Sequence, residues 1–264
     1  MSKGMLVDVT RCIACRGCQV ACKQWNDKPG ETTSSSETGT NPPVLSAKTW
    51  TLIDIKPEVR ENGTMKWSFA KLQCMHCNSP ACVSACPVAA LTKDDNGPVV
   101  YREERCIGCR YCMIACPFGI PKFEWDKAIP TIQKCSFCFD RIDQGIEPAC
   151  AKTCPTEAMV FGEREDLVEQ AKARIYGQPG KYVAHIYGEK EVGGTSWLYI
   201  SDVPFEKLGF PLLGDTAYPD LTWEALNKIP WEVLAVAVIT GGVWYIRRRQ
   251  ENEKAKELAG KEGK

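Results

Sequence analysis

Sixteen cysteines fall into four short runs, and no cysteine lies outside them. The first run, CIACRGCQVAC, places Cys12, Cys15, Cys18 and Cys22 in C-x2-C-x2-C-x3-C spacing. The second, Cys74, Cys77, Cys82 and Cys86, widens its middle gap to four residues, and the third, Cys106, Cys109, Cys112 and Cys116, returns to the first spacing. The fourth crosses from Cys135 and Cys138 over an eleven-residue gap to Cys150 and Cys154. Disulfide frameworks pair cysteines over long, irregular separations, so this complete grouping argues against one. Zinc sites use two C-x2-C pairs, or cysteine with histidine, and have no need of a triplet plus a distant fourth. His76 and His185 are the only histidines, which leaves thiolate as the one metal ligand in quantity.

A compact triplet suits a cubane cluster, because one tight loop reaches three irons while the fourth iron takes a cysteine from elsewhere. The expectation is four [4Fe–4S] clusters with all sixteen cysteines as iron ligands. Gly17 and Gly108 are read as points of close backbone approach. The x3 segment before each last cysteine fits one helical turn, which Pro87, Pro117 and Pro155 stop. Lys23 stands in place of proline after the first run, so that helix extends. His76 lies between Cys74 and Cys77, where a Rieske-type ligand is conceivable, but packing is the better reading because cysteine fills every cluster position. Arg11, Arg16, Lys23, Arg105, Arg110, Lys134 and Lys152 lie within one or two residues of ligands, where a cation favours the reduced cluster, although ordinary solvated surface charge is the better reading for any single one of them.

The stretch AALTKDDNGPVVYREE, between the second and third runs, reads as a hairpin turning at Asp95-Asn96-Gly97. Runs flanking one hairpin form one two-cluster unit, which leaves the first and fourth runs to form another around it. In two-cluster ferredoxins the last cysteine of each run serves the other cluster. One outer cluster is therefore assigned to Cys12, Cys15, Cys18 and Cys154, and its neighbour to Cys135, Cys138, Cys150 and Cys22. The inner clusters are assigned to Cys74, Cys77, Cys82 and Cys116, and to Cys106, Cys109, Cys112 and Cys86.

The fold class is α+β, two nested bacterial-ferredoxin-like units followed by a single C-terminal transmembrane helix. Residues Asn26 to Pro43, rich in serine, threonine, glycine and proline, read as a surface loop. A second hairpin is expected over Lys48 to Gln73, turning at Asn62-Gly63, then a closing strand in AMVFGE and an exposed amphipathic helix over Glu163 to Ile175. With elements this short, iron ligation supplies much of the folding free energy.

Lysine plus arginine and aspartate plus glutamate balance at 33 each, so no net field favours nucleic acid. The N-terminus enters an apolar strand without a signal core or twin-arginine pair, so export would rely on a partner that carries the address. Residues Ile229 to Ile246 carry one charge, Glu232. As a helix they span about 27 Å, enough for a hydrocarbon core. Trp231, Trp244 and Tyr245 sit at its ends as interfacial anchors, and Gly241 and Gly242 permit close helix packing. Arg247, Arg248 and Arg249 follow at once, which places the C-terminus in the cytoplasm and the cluster domain on the periplasmic side.

With these four runs in this order, the chain resembles the iron–sulfur (beta) subunits that accompany molybdenum or tungsten oxidoreductases of the dimethyl sulfoxide reductase superfamily. LSAKTWT, LQCMHC, EPACAKTCPTEAMVFGE and GGTSWLYI narrow the likeness to the beta subunit of membrane-bound respiratory formate dehydrogenase. The resemblance implies a non-catalytic electron relay. Its partners would be a catalytic alpha subunit holding a bis-pterin molybdenum or tungsten, and a membrane cytochrome b gamma subunit or other acceptor. The expected organisation is an outer unit from residues 1–70 and 131–165, an inner unit from 71–130, an extension over 166–228 that packs on partner subunits, a transmembrane helix over 229–246 and a charged cytoplasmic tail over 247–264. The same relay could serve a sulfur-compound or sulfoxide reductase, or a hydrogenase. A self-sufficient enzyme needs an iron without a cysteine ligand, and sixteen cysteines over four clusters leave none open. A purely structural metal scaffold would hold clusters that cannot be reduced.

Overall fold

Lys3–Asp8 has five buried residues in succession and forms β1, the central strand of a three-stranded sheet. In the computed structural model that shows this, residues 2–59 and 63–262 are described, and the chain divides into two units, Met1–Pro219 and Asp220–Lys264. After β1 the first unit runs through α1 (Gly17–Trp25), a hairpin of β2 (Leu52–Val59) and β3 (Met65–Leu72), and the single turn α2 (Ala81–Ser84). Next come β4 (Leu91–Lys93), β5 (Val99–Tyr101), α3 (Tyr111–Ala115), β6 (Lys122–Phe123) and β7 (Ile132–Gln133). Then follow α4 (Phe139–Ile142), α5 (Ala149–Lys152), β8 (Met159–Glu163), α6 (Arg164–Gly177) and β9 (Trp197–Ile200).

The sheet order is β8-β1-β9, antiparallel on one side of β1 and parallel on the other, with Met5 opposite both Phe161 and Trp197. Successive side chains of a strand point to opposite faces. Met5, Val7, Trp197 and Tyr199 therefore enter the core that holds the outer cysteine runs, while Leu6, Leu198 and Ile200 meet Leu167, Val168, Ala171 and Ile175 of α6. The amphipathic helix thus has one face covered by its own chain. Residues 166–219 belong to the same unit as the cysteine runs, and β9 within them is fully buried.

The hairpin between the second and third runs is β4 and β5, with Leu91 opposite Tyr101. Its turn closes through Gly97 N–H donating to the Asp94 carbonyl at 3.0 Å. Gly97 has φ +110°, and a Cβ there would stand 2.5 Å from the Lys3 carbonyl, so glycine lets this turn press on the start of β1. In the other hairpin Leu52 faces Leu72 and Val59 faces Met65. Of its expected turn, Gly63 has φ +76° and Asn62 lies outside the described residues. The loop over 26–43 contains no helix or strand among the described residues. It is pinned where Gln19 Nε2 donates to the Asn41 carbonyl at 3.1 Å and Ile53 N–H donates to Gln19 Oε1 at 2.8 Å.

The second unit is helical, made of α7 (Tyr218–Leu226) from Asp220 onward and α8 (Ile229–Glu262). The stretch Tyr218–Lys254 has an apolar window of mean hydropathy 1.6, none of it buried, and is long and apolar enough to cross a membrane. The sequence reading ends the helix at Ile246, whereas α8 continues through the charged residues that follow. Arginine, glutamate, lysine and alanine are good helix formers, and Arg249 pairs with Glu253 one turn on at 3.3 Å, so nothing stops the helix at the end of the apolar run.

Candidate metal centres

The opening C-x2-C loop of each of the four runs turns on a left-handed residue placed just before its second cysteine: Ala14 (φ 54°), His76 (φ 49°), Gly108 (φ 68°) and Phe137 (φ 59°). For a residue with a Cβ this conformation costs about 1–2 kcal/mol. Its recurrence in alanine, histidine and phenylalanine as well as glycine shows that the loop demands it. The turn aims backbone N–H groups at sulfur: Gly108 donates to Cys106 Sγ at 3.4 Å and Phe137 to Cys135 Sγ at 3.3 Å. A second left-handed residue follows each Cys-Pro step, at Ala89 (φ 50°), Gly119 (φ 61°) and Glu157 (φ 50°). Beyond the first of them Ala90 N–H donates to Cys86 Sγ at 3.2 Å. Gly17, by contrast, opens α1 with ordinary helical geometry, and a Cβ there would meet Cys15 Sγ at an acceptable 3.6 Å. Glycine at 108 avoids the backbone strain that Ala14, His76 and Phe137 bear at the equivalent position, and Gly17 needs no such relief. Helices α2, α3 and α5 are four or five residues long and end ahead of a Cys-Pro step, while α1, with Lys23 in that place, runs nine residues.

The folded chain sorts the thiols four by four. One cavity is lined by Cys12, Cys15, Cys18 and Cys154, a second by Cys22, Cys135, Cys138 and Cys150, and a third by Cys86, Cys106, Cys109 and Cys112. The remaining four, Cys74, Cys77, Cys82 and Cys116, are electrostatic neighbours of one another. All sixteen are free thiols. Among the described residues no three His, Cys, Asp or Glu side chains converge as a single metal ion would require, so the thiols surround a space without meeting at a point. Burial pushes Cys18, Cys22 and Cys82 up to about 12, and Cys112 and Cys138 up to about 11. Such thiols deprotonate when a metal supplies the compensating charge. Sets of four cysteines with N–H groups turned toward sulfur are the donor chemistry of an iron–sulfur cluster, and these residues fit one.

Of the cations flagged beside the cysteines, Lys134 alone is buried; its Nζ donates to the Val99 and Cys135 carbonyls at 2.5 and 3.0 Å. Arg11 pairs with Glu157 at 3.7 Å, Lys23 with Glu31 at 3.3 Å and Lys152 with Glu147 at 3.5 Å. Arg16 donates to the Gly39 carbonyl, and Arg110 lies over the Phe123 and Trp125 rings at 5.5 and 5.1 Å. Two lysines outside that window of one or two residues also stand beside the thiols. Lys71 is 3 % exposed and lines both outer cavities. Burial works against its charge, but Cys150, Cys18, Cys135 and Cys22 outweigh that and raise its pKa. Lys93 lies beside Cys77 and Cys74, with burial lowering it to about 8. Position in β3 and β4 gave no sign of either role, since proximity in sequence was the only available guide.

His76 is fully buried, and its Nδ1 accepts a 2.8 Å hydrogen bond from Val99 N–H. Burial, then Lys134, Lys93 and Lys71, hold its pKa well below the usual value. The neutral ring therefore carries its hydrogen on Nε2, which makes that atom a donor with no lone pair to offer a metal. His76 is a packing residue.

Two family profiles described as 4Fe-4S dicluster domains match the chain, one over residues 65–164 and one over residues 11–90. The Hydrogenase-2 operon protein HybA of Escherichia coli O157:H7 is 36% identical over 288 aligned residues, covering 96% of this chain and 86% of the relative. In Escherichia coli K12, the iron-sulfur subunit of the nitrate-inducible formate dehydrogenase is 42% identical over 198 residues, which is 74% of this chain and 66% of that protein. The formate dehydrogenase-O iron-sulfur subunit of the same strain is 38% identical over 234 residues, 84% of this chain and 75% of that protein.

Proposed function

This chain belongs to the family of iron–sulfur subunits built on 4Fe-4S dicluster domains, and we propose that it relays electrons for a formate-oxidising complex. The observation that carries the relay is the division of sixteen free thiols into four sets of four, three from one run and one from its paired run. We assign the ligands accordingly: Cys12, Cys15, Cys18 and Cys154; Cys22, Cys135, Cys138 and Cys150; Cys74, Cys77, Cys82 and Cys116; Cys86, Cys106, Cys109 and Cys112. A bound [4Fe–4S] cluster takes up and gives back one electron at a time. The chain's own residues fix the sites, keep water from the buried sulfurs and spread thiolate charge onto inward N–H groups.

Chemistry on the substrate falls to a separate catalytic subunit, which we propose holds a bis-pterin molybdenum or tungsten. A membrane cytochrome b would accept the electrons. The apolar part of α8 would cross the bilayer with Arg247, Arg248 and Arg249 on the cytoplasmic side, leaving the cysteine-bearing unit on the periplasmic face. The outer unit would comprise residues 1–70 and 131–165, the inner unit 71–130, and the surface of 166–228 would meet partner subunits.

Anaerobic purification from native membranes, with an iron assay and redox-titrated electron paramagnetic resonance, tests this. Roughly sixteen irons per chain, reduced within seconds by formate alongside a copurifying catalytic subunit, is the expected result. Hydrogenase is the second reading, favoured by the greater share of HybA that the similarity covers. Reduction by hydrogen and not by formate would replace the donor and keep the relay. Far less iron, or zinc in its place, would overturn both.

A further inference from the structure

Lys71 Nζ donates to Thr51 Oγ1 and Gln73 Oε1, both at 2.8 Å, and lies 4.3 Å above the centre of the Trp197 ring. All three partners are neutral, and no ion pair with a carboxylate is found for Lys71 among the described residues. A buried ammonium stripped of water needs negative charge close by. That charge can come from two directions, because Lys71 lines the cavity of Cys12, Cys15, Cys18 and Cys154 and also that of Cys22, Cys135, Cys138 and Cys150.

We propose that Lys71 is a fixed positive charge shared by the two outer clusters, which holds the midpoint potentials of both above the values a neutral side chain would leave. The inference rests on the cluster-bearing reading above. A cluster held by four thiolates is anionic, and reduction adds one electron from its neighbour in the relay, hence one more negative charge. A cation fixed beside it in a low-dielectric interior stabilises the reduced form more than the oxidised form. No bond forms or breaks at Lys71, and it surrenders no proton. Thr51, Gln73 and Trp197 hold the ammonium in one place, so the charge acts on both clusters at once. Lys93 stands instead beside Cys77 and Cys74 of the inner set.

The test is a redox titration followed by electron paramagnetic resonance on the cluster-loaded full chain, comparing wild type with Lys71→Met, Lys71→Gln and Lys71→Arg. Two of the four midpoint potentials are expected to fall together in the neutral variants and to return in Lys71→Arg, with the other two unmoved. Lys93→Met serves as the control and should move an inner cluster only. If both neutral variants lose outer-unit iron while Lys71→Arg keeps it, the charge requirement is again upheld, since arginine preserves charge but not shape. Unmoved potentials in an iron-replete neutral variant, equal shifts in all four, or iron loss in all three variants would overturn the inference and make Lys71 a packing residue. A wild-type chain without four clusters would instead overturn the reading beneath it.

Discussion

His76 and Phe137 stack with ring centroids 4.9 Å apart and planes 30° from parallel. Each is the left-handed residue of its own cysteine loop, one between Cys74 and Cys77 and the other between Cys135 and Cys138. The stack thus ties the loop of an inner run to the loop of an outer run. Phe137 also touches Trp197 of β9 at 5.5 Å, so the sheet backs the junction. Phe137→Ala should destabilise the folded chain by about 3–5 kcal/mol. Under chelator challenge it should release iron from both pairs of sites in one phase, followed by iron assay and cluster absorbance. Loss confined to the outer pair would show that the stack does not couple the two.

The proposed crossed sharing of the fourth cysteine predicts an inverted pattern of damage. Cys154→Ser should impair the cluster of Cys12, Cys15 and Cys18 and spare that of its sequence neighbour Cys150. Cys22→Ser should do the reverse. Redox titration resolves the four signals, and damage to the cluster of the mutated run itself would refute the crossing.

Glu31 anchors the long loop after α1. It accepts from Ser46 Oγ at 2.7 Å, from Thr49 Oγ1 and from Lys23 Nζ at 3.3 Å. Burial raises its pKa, but these hydrogen bonds together prevail and leave it below 4.5. A carboxyl depressed by folding stabilises the native state above its unfolded pKa, and that contribution fades as pH falls through the folded one. Glu31→Gln should therefore cost about 1–3 kcal/mol at neutral pH. Below pH 4.5 the gap to wild type should narrow. Denaturant titrations at several pH values would reveal a constant gap if the carboxylate charge were irrelevant.

Removing iron should melt the first unit and leave α8 helical. Strands β6 and β7 have two residues each and β4 and β5 three, and the helices α2 to α5 are single turns, too short to persist without their ligated cysteines. Circular dichroism after anaerobic chelation, on the full chain in detergent, is the measurement. A metal-free chain with its sheet signal intact would contradict the idea.

The cysteine spacings made the grouping of the thiols legible because it is largely local: three of each set of four come from one run, and the loop that bears them has one backbone solution. The hairpin at Gly97, the closing strand β8 and the long α1 followed from turn chemistry and from the missing proline. Other features depend on contacts distant in sequence, which a motif does not encode. Trp197 and Tyr199 sit in a run whose parallel pairing with β1 joins residues almost two hundred positions apart. Lys71 is three residues from Cys74, yet its ammonium faces the outer thiols of runs one and four. The β6-β7 pair is too short to announce itself by alternation.

The order β8-β1-β9 sets a timetable for biogenesis. The first strand to leave the ribosome lies between two of the last, so β1 stays unpaired until Glu163 has emerged and is flanked on both sides only after Ile200. With the proposed ligand sets, Cys12 to Cys22 would wait beside it as naked thiols until Cys150 and Cys154 arrive, whereas Cys74 to Cys116 are all present much earlier. The inner pair of sites is thus ready for iron first, and the oldest cysteines in the chain are filled late. During that interval they are the part of the nascent protein most open to oxidation, and the most dependent on whatever shields it until loading is finished.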